Sequence, residues 1–212
     1  MRRKEFLIGD ENYEDVVEFL QEMSFGFLGI WKEGDYPGVV PINYVYFNDA
    51  IYLHGSKAGE KMNSIKQKPN VSFAVAKEYA QIPSYMSDPF YACPATVFFK
   101  SVYMTGKAEV VEDLQEKCDV LNELMHKLQP EGGYHPITLE HSGYASHVKA
   151  TAVIRIDIDQ LTAKFKFGQN WKPKKLQHIS EQLLQRGQAL DEQTAELMMR
   201  YCPHAKQHNE AE

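Results

Sequence analysis

The stretch from Val39 to His54 restricts the fold of this chain more than any other. Val40, Ile42, Tyr44 and Tyr46 fall on one side of an extended backbone; Pro41, Asn43, Val45 and Phe47 fall on the other. Side chains alternate across a strand, so a period of two belongs to a β-strand and not to a helix. Asn48-Asp49 supplies a short turn, and Ile51-Tyr52-Leu53-His54 returns. The pair is a hairpin, and a hairpin commits the chain to antiparallel pairing.

The rest of the chain extends that commitment. Phe25 to Trp31 is aromatic, punctuated by glycine and too short for a helix, so it reads as a strand. Val71 to Ala76 is β-branched and aromatic. Val97 to Val111 is a long or bent strand with Gly106 as its bulge or kink. Thr151 to Ile158 places Ala152, Ile154, Ile156 and Ile158 on one face, and a hydrophobic and basic run follows from Leu161 to Phe167. Helices are predicted after Asn12 and Asp113, each a potential cap, from Ser56 to about Lys66, and around Leu176, Ile179 and Leu183, with a last short one at Leu197-Met198. Residues 78–95 and 130–149 read as irregular segments, and the tail after Pro203 as disordered. Five to seven strands with three or four peripheral helices favour an antiparallel barrel over a doubly wound sheet.

At 212 residues, the chain is long enough for one domain with a small appendage. Its formal charge of -6 argues against nucleic-acid partners and against anionic membrane surfaces. No apolar run approaches the ~20 residues of a membrane helix, and no secretory signal is read, so a cytoplasmic protein is expected. Cys93, Cys118 and Cys202 are far apart and odd in number, which suits free thiols in a reducing compartment. His135, His141 and His147 lack the tight spacing of ligands, so no metal site is expected.

The chemistry concentrates in His54-Gly55-Ser56-Lys57-Ala58-Gly59-Glu60-Lys61. A strand ends, a turn of small residues follows, and a helix begins with a lysine in its first turn. Free N–H groups at a helix start favour an anion. Ser56 can cap the helix or donate its hydroxyl. Gly55 and Gly59 let a ligand approach the backbone, and Lys61 brings a full positive charge. Together these form a phosphate cradle; the alternative is an ordinary capped helix with solvated lysines. The Walker spacing is absent.

The order of Val39-Val40-Pro41-Ile42-Asn43-Tyr44, Leu53-His54-Gly55-Ser56, Gly59-x-Lys61 and Pro69-Asn70-Val71-Ser72-Phe73 resembles the flavin-binding split barrels of the pyridoxamine-phosphate-oxidase-like superfamily. It is most similar to the branch of nitroimidazole-resistance-type flavin-nucleotide-binding proteins. Ser101-Val102 followed by Gly106-Lys107-Ala108-Glu109 fits the same pattern. Lys164-Phe165-Lys166-Phe167-Gly168-Gln169-Asn170 is similar to the Lys-x-Lys-x-Ser-Gln-Asn element of another FMN-binding branch, named after a bacillar negative regulator of sporulation and protease synthesis, with Gly168 in place of the serine.

The resemblance implies a mainly β protein, a six-stranded antiparallel split barrel over residues 1–167, with a helical extension at 168–212. It implies a homodimer with FMN, or alternatively FAD, in the groove between subunits. The cofactor-binding residues it points to are Pro41, Ile42, Asn43, His54, Gly55, Ser56, Gly59, Lys61, Ser101, Val102 and Trp171, the last covering the flavin from the partner subunit or simply packing. His54 is a candidate flavin contact or catalytic acid, or a strand-end histidine with a satisfied hydrogen bond. Two functions follow: a small oxidoreductase acting on a nitro- or quinone-like compound, or a non-catalytic flavin-binding sensor or regulator. The arginine-rich C-terminal substrate element of true pyridoxamine-phosphate oxidases is not found.

Overall fold

The structure is a computed structural model that describes residues 4–202. The strands are β1 (Phe25–Ile30), β2 (Gly38–Asn43), β3 (Val45–Phe47), β4 (Ala50–Gly55), β5 (Asn70–Ile82), β6 (Thr96–Val110) and β7 (Ala152–Lys166). The helices are α1 (Tyr13–Glu22), α2 (Glu60–Gln67), α3 (Leu114–Leu128), α4 (Ser142–Ala150), α5 (Pro173–Arg186) and α6 (Asp191–Tyr201). The tail from Pro203, expected to be disordered, lies outside the described residues. Among the described residues no helix is long and apolar enough to cross a membrane.

The strands are neighbours in the order β2-β1-β5-β6-β7-β4-β3, and the β1–β2, β1–β5, β3–β4 and β4–β7 ladders are antiparallel. Seven strands stand where six were expected, and the reason is local. The alternating segment from Val39 to Phe47 breaks at Tyr44, whose N–H leaves the ladder for the carbonyl of Ser24 at 3.0 Å. Its phenol donates to the Leu20 carbonyl at 2.9 Å, at the C-terminal end of α1, and its ring meets Phe73 edge-on at 5.1 Å. Tyr44 is buried, so the break gives it a core position and turns the strand. The part before it pairs with β1 at one sheet edge, and the part after it pairs with β4 at the other. One chain segment therefore serves both edges, which is how the sheet curls towards a barrel without leaving a long free edge.

The contacts divide the chain into two compact units: Glu11–Val75 with Val102–Thr162, and Met1–Asp10 with Ala76–Ser101 and Ala163–Glu212. In the first, Phe19, Leu20, Leu28, Phe73 and Val75 are fully buried, and Val45, Tyr52, Val120, Leu124 and Val153 form a cluster under α3. Asp113 caps α3 as expected, its Oδ1 accepting from the Glu116 N–H at 2.7 Å. Asn12 stands at the cap position of α1 but makes no side-chain cap bond; its amide donates to Glu11. Asn48 and Asp49 both take left-handed backbone, φ 47° and 58°, the geometry of a two-residue hairpin turn.

In the second unit, Phe98, Phe165 and Phe167 pack with Tyr79 and Tyr201. Lys100 is buried with its ammonium over the rings of Phe165 at 4.9 Å and Tyr79 at 5.6 Å. Arg186 at the end of α5 makes a two-pronged ion pair to the buried Asp191, at 2.6 and 2.8 Å.

Three expectations are corrected. Residues 130–149 are not all loop: α4 occupies Ser142–Ala150, and Val148 is its only buried side chain, so it carries no apolar stripe to read. Residues 78–82 are not irregular but the end of β5, where Tyr79 and Ala80 are both buried and the alternation lapses. Six α-helices stand among the described residues rather than three or four.

Candidate functional site

The site is built at the end of β4, where Gly55 is the last residue of the strand and α2 starts five residues later. The turn between them is not the capped helix entry that Ser56 suggested. Ser56 Oγ accepts from the Ala58 N–H at 3.2 Å, inside the turn, and makes no cap to α2. Gly59 takes the cap position with φ +116°, a backbone that a side chain would strain, so its glycine is required here. Lys57 reaches away and donates to the carbonyl of Lys149.

Lys61, in the first turn of α2, folds back over the strand end. A methyl group on Gly55 would sit 3.4 Å from its Nζ. Lys61 is half-buried, and among the described residues it has no ion pair and no hydrogen bond. Burial pushes its pKa below the ordinary lysine value. His54, on the same strand end, is also pushed below its ordinary value, first by the partial burial of its ring and then by the charge on Lys61. Two basic groups thus lie at the same corner: burial disfavours the charged form of both, and the Lys61 charge further disfavours that of His54. An anion placed there restores both. These donors could hold an anion such as a phosphate group.

The β2 residues divide by face. Pro41 and Asn43 are exposed, Ile42 is half-buried, and Asn43 donates through Nδ2 to the Ser24 carbonyl at 3.2 Å. The β2 and β4 strands also come into contact, so Pro41, Ile42 and Asn43 share a unit with His54, Gly55, Ser56, Gly59 and Lys61. Val102 belongs to this unit too, but its side chain is buried in the core. Ser101 and Trp171 belong to the other unit. There the Ser101 hydroxyl donates to the Lys164 carbonyl at 3.4 Å, and Trp171 packs on Phe98 with ring centres 5.3 Å apart. Among the described residues no group of three or more His, Cys, Asp or Glu side chains is placed to hold a metal ion.

The sequence profile of pyridoxamine 5′-phosphate oxidases matches residues 12–165, most of the chain. The chain belongs to the pyridoxamine 5′-phosphate oxidase family. No curated protein matches it. Solved structures do. A candidate 5-nitroimidazole antibiotic resistance protein of Bacteroides thetaiotaomicron superposes with a TM-score of 0.58 at 24% identity, over 74% of this chain and 85% of that one. The flavocytochrome Anf3 of Azotobacter vinelandii gives 0.59 at 20% identity, over 78% and 75%. An FAD- and haem-binding protein of Mycobacterium smegmatis gives 0.59 at 16% identity, over 73% and 71%. At such identities these likenesses bear on the fold alone, and they support the curled antiparallel sheet with peripheral helices.

The reading from sequence missed Lys175, which lies over the Trp171 ring at 4.6 Å. Its only signal is a lysine four residues after a tryptophan, which many exposed helix starts share.

Proposed function

We propose that this member of the pyridoxamine 5′-phosphate oxidase family binds FMN by its phosphate at His54–Lys61 and works as a small flavin-dependent oxidoreductase on a nitro- or quinone-like compound. The observation that carries the reading is Lys61: a half-buried ammonium over Gly55, beside a histidine whose protonation it disfavours, with no ion pair among the described residues. Pro41 and Asn43 on the neighbouring exposed face of β2 would hold the ring system. A bound flavin supplies the electron and hydride chemistry that side chains lack. The residues of this chain bind its phosphate, orient its ring and shape the pocket. The names of structural neighbours that bind FAD support a flavin and leave FAD as the alternative form.

One observation favours a non-catalytic flavin-binding protein as the second reading. His54 is held below its ordinary pKa, so at neutral pH it is an uncharged imidazole and a poor proton donor.

The test is the absorption spectrum and mass of whatever copurifies, followed by titration of the apo-protein with FMN, FAD and riboflavin. FMN is expected to bind more tightly than riboflavin, which lacks the phosphate; equal affinities would remove the cradle from the reading. Anaerobic NAD(P)H then separates the two functions, because prompt bleaching with reoxidation by a nitro compound requires turnover.

We also propose a homodimer. Phe25 and Phe27 on β1 are 46% and 44% exposed, and Val39 on β2 is 61% exposed. Phe27 lies opposite Pro41 in the ladder, so these side chains form one apolar face of the sheet. Such a face suits burial against a second copy. Sedimentation is expected to show a dimer at micromolar concentration, and Phe27→Lys is expected to shift it towards monomer; a monomeric parent would overturn the proposal. The cytoplasm is the compartment we propose, since it keeps the exposed thiol of Cys93 reduced.

A further inference from the structure

Lys127, the last residue but one of α3, holds the C-terminal end of α1. Its ammonium donates to the Leu20 carbonyl at 3.4 Å and to the Met23 carbonyl, and it lies over the Tyr44 ring at 4.7 Å. The last carbonyls of a helix have no partner within the helix, and a cation there also suits the negative end of its dipole. Lys127 is half-buried, and burial pushes its pKa down to about 8. Keeping an ammonium there has a desolvation cost, which the carbonyls and the ring offset.

The segment that Lys127 anchors carries the partners of the break between β2 and β3. The Ser24 carbonyl, one residue beyond Met23, accepts from the Tyr44 N–H at 3.0 Å and from Asn43 Nδ2 at 3.2 Å. The Leu20 carbonyl, shared with Lys127, accepts from the Tyr44 phenol at 2.9 Å. Leu20, Met23, Ser24, Asn43, Tyr44 and Lys127 all belong to one compact unit. Asn43 is exposed, and an exposed side chain turns freely unless something holds it. Its bond to Ser24 uses one of its two N–H groups and so sets the direction of the other and of Oδ1.

We propose that Lys127 is a positioning residue: by anchoring Leu20–Ser24 from α3 it orients the Asn43 amide, and through that amide the ring system of the flavin. The orientation of Asn43 follows from these bonds; the step to the ring rests on the flavin reading. An amide set in place beforehand binds a ring without the cost of being ordered at that moment.

The experiment compares Lys127→Met with the parent, both as full chains. Lys127→Gln, shorter and neutral but still polar, is the second variant should Lys127→Met not fold. NMR of the apo-proteins follows the Asn43 side-chain amide, whose protons are expected to shift and to exchange faster with water in the variant. Titration then gives the affinities for FMN and riboflavin. Both flavins are expected to bind roughly three- to thirtyfold more weakly, the span that changes made away from a ligand reach through packed networks. Equal loss marks the ring side, because a defect at the phosphate would spare riboflavin. In an Asn43→Ala background, Lys127→Met is expected to add little further loss.

A lysine that only clamps α1 would lower the unfolding midpoint and leave the Asn43 amide and both affinities unchanged; that result overturns the proposal. So does a loss confined to FMN, or a Lys127→Met effect as large without the Asn43 amide as with it. If the parent binds neither flavin, the flavin reading fails, and the Asn43 resonances of the apo-protein still decide whether Lys127 orients that amide.

Discussion

Gly106→Val is expected to leave little folded protein. Gly106 lies in β6, and a Cβ there would fall 2.1 Å from the carbonyl oxygen of Asp157 on β7 and 3.0 Å from the carbonyl carbon. Both are backbone atoms of a neighbouring strand, so no side chain can swing aside. Relief would require β6 and β7 to separate. Overpacking a core costs roughly 1–3 kcal/mol when side chains can adjust. Here they cannot, and we expect about 3 kcal/mol or more, a large part of the roughly 5–15 kcal/mol that holds a domain together. Urea unfolding followed by circular dichroism measures it. Gly106→Ala should move the midpoint in the same direction, since the first carbon already makes the clash. Gly143→Ala serves as the control: a methyl there meets nothing within 4 Å, and its helical position predicts a neutral or slightly stabilising change. A parent-like midpoint for Gly106→Val would mean that the strands do not approach as closely as this.

That glycine also shows what the sequence could and could not tell. Its place inside a long β-branched run announced a bulge or kink, because a strand interior gains nothing from glycine unless something must come near. What came near could not be read, since Asp157 is far away along the chain. The same division holds elsewhere. The Asn48-Asp49 turn that joins Val45–Phe47 to the returning strand and the Asp113 cap were legible because both are set by neighbours in sequence. The break at Tyr44 was not: it depends on Ser24, Leu20 and Phe73, which supply the partners of its N–H, its hydroxyl and its ring. In the candidate site, the order His54, Gly55, Gly59, Lys61 marked from sequence the corner where Lys61 comes to lie beside Gly55 and His54. Ser56 misled, because a serine near a helix start has several backbone partners within reach, and the one it takes is Ala58. The substitution of Gly168 for a serine looked like a departure from a pattern. It becomes intelligible only when Trp171 is seen in the vacated space.

Lys61→Ala should weaken FMN binding by roughly tenfold to a hundredfold. The variant loses one charge-assisted bond to the phosphate, worth about 1.5–3 kcal/mol. Riboflavin, with no phosphate to lose, should bind the variant nearly as it binds the parent. The apo-protein should not suffer. Lys61 is half-buried with its pKa pushed down by burial, so its charge is a strain on the empty site and its removal leaves stability unchanged or raises it. A lysine that served only to stabilise α2 would behave in the opposite way, costing stability and leaving flavin affinity alone. The neighbouring histidine provides a readout that needs no flavin. Part of the downward shift of His54 comes from the Lys61 charge, so Lys61→Ala should raise the His54 pKa in the apo-protein, as followed by NMR of the imidazole. A raised His54 pKa with unchanged FMN affinity would keep the corner and move the phosphate elsewhere. An unmoved His54 pKa would take apart the corner itself, since the two basic groups would then not face one another.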